Sequence, residues 1–182
     1  LAGEDHISGY VQYYTNANLP SGFSSTDRIK QVFSLQEAEQ LGLASGSATT
    51  GLTWYHVSEY FRIQPQGNLF IGLFDSVSID YSVIETVQNF SDGKIRQIAV
   101  YDQITFATAN VQTLQTSYTN LEADHKPLHV LYAADFQGVA TISALSDLTT
   151  LASPNVTVVL GEDGGANGSA LAISETQSIT TI

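Results

Sequence analysis

Four short stretches of this chain share one design, a β-rich apolar run closed by an aspartate. They are Asn68–Asp75 (NLFIGLFD), Ile95–Asp102 (IRQIAVYD), Leu128–Asp135 (LHVLYAAD) and Val156–Asp163 (VTVVLGED). The closing acids recur roughly every thirty residues, the length that a strand, a crossover helix and their loops occupy. Runs that are apolar almost throughout, rather than alternating, suit a parallel sheet covered on both faces. The pattern predicts an α/β fold, a mainly parallel sheet of about four to five strands with helices on both faces.

The segments between and before these runs supply the helices. Ile79–Phe90 repeats apolar residues at three- and four-residue steps (Val83, Ile84, Val87, Phe90) and stops at Asp92-Gly93. A longer helix is expected near Phe106–Glu122, with Val111, Leu114, Tyr118 and Leu121 inward and a face of Thr, Asn and Gln outward. Shorter ones are expected over Ser143–Leu151 and Ala170–Gln177. Upstream, His6–Thr15 reads as a strand, and Ile29–Phe33 as another. Ser34-Leu-Gln-Glu37 is a capping box that starts a helix ending at Leu41-Gly42. Thr50–Ile63 is an aromatic helix, apolar on more than one face and so largely buried. Residues 1–49 are therefore expected as a small N-terminal strand and capped-helix segment, and residues 50–182 as the α/β repeat core.

Composition narrows the partners. Six Lys and Arg against eighteen Asp and Glu give a net charge of −12, which disfavours nucleic acid and anionic membrane surfaces. The chain has no cysteine, hence no disulfide framework and no thiolate chemistry. Its Asn-X-Ser/Thr triplets at Asn89, Asn155 and Asn167 carry little weight as glycosylation sites, Asn155 standing at the mouth of a buried strand.

The strand-end acids are the sharpest chemical feature. Ligands of open parallel sheets gather outside the carboxyl ends of the strands, so Asp75, Asp102 and Asp135 have the placement and hardness of Mg²⁺ ligands. That would make the chain a divalent-metal-dependent hydrolase or phosphotransferase. The plainer reading is that these acids are turn formers and helix caps. Lys94 and Arg96 stand at the opposite end of their strand, away from any charge developing beside the acids. The glycine loop with Gly161, Gly164, Gly165 and Gly168 follows a strand, as a phosphate cradle does, but it lacks a lysine and carries Glu162 and Asp163. It reads as a connector, with ligand binding as its alternative. The histidines, His6, His56, His125 and His129, show no helical ligand spacing, and no serine sits in a nucleophile elbow. No catalytic, metal or cofactor set is assigned.

The order of the front half carries a resemblance. A strand at Asp5-His-Ile-Ser-Gly9, then Ile29–Ser34 leading into Leu35–Gly42, an aromatic helix Trp54–Ile63 and the strand Asn68–Phe74 resemble the front of contractile-tail sheath proteins. Val156–Gly168 (VTVVLGEDGGANG), with Ser169-Ala-Leu-Ala172 and Ser178-Ile-Thr after it, is similar to the later core of sheath-like proteins of Bacteroidales-type prophages. The resemblance implies a non-enzymatic structural subunit of a phage or prophage tail that needs no cofactor. It also implies self-assembly into a helical tube around an inner tail tube protein, in a virion tail put together in the bacterial cytoplasm. In that family a carboxyl-terminal domain and arm follow the part matched here, so the chain is expected to be a core piece of a longer protein.

Overall fold

A computed structural model of the chain describes residues 7–135 and 146–159. Its elements are β1 (Ile7–Tyr14), β2 (Ile29–Val32), α1 (Leu35–Gln40), α2 (Gly51–Ile63), β3 (Asn68–Asp75), α3 (Val83–Phe90), β4 (Gln97–Thr105), α4 (Thr108–Ala123), β5 (His129–Asp135) and β6 (Val156–Val158). All six strands form one sheet in the order β2-β3-β1-β4-β5-β6. Only the β2–β3 pair is antiparallel. The fold is α/β, and the sheet exceeds the four to five strands expected because the two early strands join it.

The first strand of the chain holds the centre. β1 pairs with β3 along its whole length, Ile7 with Asn68 through Tyr14 with Asp75, and with β4 on its other side. Alternate residues of each strand then feed opposite cores. Val11 and Tyr13, Ile98 and Val100, and Val130 and Tyr132 meet Ile84 and Val87 of α3 and Val111, Leu114 and Leu121 of α4. Tyr10 and Tyr14, Leu69, Ile71 and Leu73 meet Ala38 of α1 and Leu52, Tyr55, Val57 and Phe61 of α2 on the other face. Each of the two layers buries the apolar stripe of its own helix pair.

The local signals act as expected, with shifts that have identifiable causes. Ser34 Oγ accepts from Glu37 N at 3.2 Å, while the Glu37 carboxylate reaches back to Phe33 N at 2.7 Å, one residue beyond the usual box. Gly42 ends α1 with φ +92°, and Asp92 and Gly93 end α3 with φ 56° and 75°. The helix expected from Ile79 starts only at Val83. Asp80 accepts from Ser82 N and from Ser82 Oγ, both at 2.8 Å, and this local turn competes with the helix. The same competition acts at Asp147, which accepts from Thr149 N at 2.9 Å and from Thr149 Oγ1 at 2.6 Å. Of the helix expected over Ser143–Leu151, the described part, residues 146–151, is irregular. The glycine loop and the run Ala170–Gln177 lie outside the described residues.

The turn Pro20–Phe23 is pressed onto the end of α1. Gly22 N donates to Leu41 O at 2.9 Å, and a Cβ at Gly22 would stand 2.8 Å from Leu41 Cα. Backbone on both sides leaves nothing flexible to yield. Gly22→Ala should therefore destabilise the fold by about 2 kcal/mol, read as a lower urea midpoint at unchanged slope.

Candidate functional site

The place to look first is the carboxyl edge of the sheet near β1. From β1 the chain reaches β3 on one side and β4 on the other, and in α/β sheets the crevice at such a reversal is where ligands bind. Here the crevice is filled by the protein's own tyrosines. Tyr13 OH donates to Asp80 O at 2.9 Å, and Tyr14 OH shares a hydrogen bond with Thr53 Oγ1 of α2. Beneath them, Gln12 Oε1 accepts from both Tyr10 OH and Thr53 Oγ1.

The strand-end acids take separate roles around this edge. Asp75 closes β3 and its Oδ1 accepts from Val77 N at 2.9 Å, a turn-forming contact. Asp102 does not end its strand, because β4 continues to Thr105. Its carboxylate is only 1% exposed and faces the α3–α4 layer. There Oδ2 accepts from Tyr81 OH and, at 2.8 Å, from Tyr132 OH, and Asn110 Nδ2 donates to Tyr132 OH at 3.1 Å. Burial first, and then the carboxylate, push both tyrosines well above the usual phenol range. Both therefore stay protonated and donate at any working pH. Asp135 closes β5, and its side chain lies outside the described groups. Among the described residues no three His, Cys, Asp or Glu side chains gather as metal ligands would.

Sequence reasoning passed over a second feature. A cleft of ≈ 270 Å³ opens between the second half of α2 and the amino ends of β1, β4 and β5. Tyr10, His56, Tyr60, Gln97, Ala99 and Leu131 are among the residues that line it. His56 is 9% exposed and lies among Tyr10, Tyr55 and Tyr101, with ring centroids 5.2 to 5.6 Å away. Its Nε2 is closed off from solvent and has no hydrogen-bond partner. Burial lowers the imidazole from its usual 6.5 to about 4, so it is neutral at pH 7. Of the other histidines, His129 is half-buried and bonds Thr157 Oγ1 at 2.9 Å, while His125 is exposed at a left-handed turn with φ 58°. The signal available in the sequence was a lone histidine inside the most aromatic helix.

No protein-family model matches the chain. No curated protein matches it. Among solved structures it is similar to the helical sheath of the anti-feeding prophage in its contracted state, determined by cryo-electron microscopy. The two are 12% identical with a TM-score of 0.46. The similarity covers 84% of this chain, which spans 38% of the length of the sheath chain. Among the described residues no helix is long and apolar enough to cross a membrane.

Proposed function

We propose that the chain is a sheath-like structural subunit that associates head to tail into an open helical assembly. The observation that carries this reading is the placement of its exposed apolar side chains. Among the described residues the large ones fall at the two ends of the strand axis. Val77, 82% exposed, lies two residues past β3, and Ile104 is next to the last residue of β4, both at the carboxyl end. Phe33 follows β2 where it pairs with the start of β3, Ile63 ends α2, and Phe90 ends α3 with its ring against Phe70. These three stand at the amino end.

Two unlike apolar ends on one molecule make a heterologous contact, and such contacts grow into rings or open helices. The flank formed by α4 offers less. Thr113, Thr116 and Thr119 each donate a hydroxyl hydrogen bond to the carbonyl four residues back, which leaves an outer face of polar, internally occupied side chains. An inner tube protein as second partner, and a place in a phage-type tail, belong to this proposal through the family resemblance. In the proposal the chain acts through its surfaces and carries no catalysis or cofactor.

The test uses Val77→Glu and Phe33→Glu, one at each end. The unaltered chain should form species that grow with concentration in sedimentation velocity and appear as rings or tubes by negative-stain electron microscopy. Each variant alone should stay monomeric. An equimolar mixture of the two should stop at a discrete heterodimer, because one intact end remains on each partner. A chain that stays monomeric over a wide range of salt and concentration, or that closes into a symmetric dimer, sinks the proposal.

A further inference from the structure

We propose that the cleft beside His56 binds a small uncharged ring bearing a hydroxyl group, a phenol in chemical class. This does not rest on the sheath reading. Size is the first constraint. At ≈ 270 Å³ the cleft lies just below the usual range of small-molecule sites, which admits one ring and excludes a nucleotide or a sugar phosphate.

Charge is the second constraint. No Lys, Arg, Asp or Glu lines the cleft, and His56 is held neutral by its burial, so an entering ion would lose hydration with no counter-charge to replace it. The walls are mixed. Tyr10 and Tyr60 present aromatic surface, Ala99 and Leu131 aliphatic surface, and Gln97 an exposed amide at the opening. A planar ring suits such a slot.

The hydroxyl follows from His56. A buried ring nitrogen without a partner is destabilising, and a ligand that supplies one gains the difference. In a neutral imidazole, Nε2 is a donor in one tautomer and an acceptor in the other. A hydroxyl serves both, since it can accept or donate. Tyr10 OH cannot take that role, because it already donates to Gln12 Oε1 at 2.6 Å.

The test is a titration of the full chain, labelled with ¹⁵N-histidine, with p-cresol, followed through the imidazole nitrogens. His56 should shift saturably while His125 and His129 stay still. Toluene, which lacks the hydroxyl, and 4-hydroxybenzoate and tyramine, which carry charge, should each bind at least about tenfold more weakly. Ala99→Leu, which narrows the cleft without touching His56, should weaken p-cresol by at least about tenfold with the circular dichroism spectrum unchanged. The proposal is overturned by a His56 resonance that never moves, by toluene binding as well as p-cresol, or by a charged analogue binding better.

Discussion

Asp102→Ala should lower the unfolding free energy by about 4 kcal/mol, the sum of two lost hydrogen bonds to a charged acceptor and a small cavity. The carboxylate is the acceptor for Tyr81 and Tyr132, and both hydroxyls lie in the layer between the sheet and α3–α4. Without it, two buried O–H groups are left with one weak contact, Tyr81 OH to Tyr132 OH at 3.4 Å. For a domain of this length the melting temperature should fall by roughly 10 °C. Asp102→Asn keeps the shape and one carbonyl oxygen, so it should lose about half as much. A melting curve unmoved by Asp102→Ala would mean that the tyrosines do not need this acceptor.

The second large effect is a dependence on pH set by His56. Its folded pKa, about 4, is depressed below the unfolded value of 6.5 because the ring is buried. The unfolded chain therefore binds a proton first as pH falls. The stability is fully present above about pH 6.5, declines as pH drops towards 4, and stays at its reduced level below that. Two and a half pKa units correspond to about 3 kcal/mol. The rings of Tyr10, Tyr55 and Tyr101 surround the imidazole, and none of them carries charge in that window to offset the proton. Eighteen carboxylic acids also titrate near its lower end, so the comparison must be differential. Urea unfolding of the chain and of His56→Phe at pH 7.5 and pH 4 isolates the term. The parent should lose about 3 kcal/mol more than the variant over that interval, and equal losses would remove His56 as the cause.

How far the sequence reached depended on whether the controlling contact was local. The repeated apolar strands, the cap at Ser34, the stop at Gly42 and the inner stripe of α4 were legible because each depends on residues within about one helical turn. The position of β1 was not. Its strand character is written in Tyr10, Val11, Tyr13 and Tyr14, but nothing local says that its partners are Asn68–Asp75 and Gln97–Tyr101. Asp102 shows the same limit. It stands where a strand would end, and only two distant tyrosines, Tyr81 and Tyr132, allow the strand to continue through it to Thr105. The cleft was hidden for a related reason, since α2 and three separate strands together make its walls.

The place of β1 also bears on how the polypeptide leaves the ribosome. The strand made first is the one flanked on both sides, yet its neighbours are synthesised about sixty and ninety residues later. Until β4 has emerged, a tyrosine-rich segment must wait with both hydrogen-bonding edges open. Closure of such long loops makes the topology slow to form. A nascent chain stalled before β4 should consequently be held by chaperones or trapped by other exposed strands, whereas one stalled beyond it can already close the middle of the sheet.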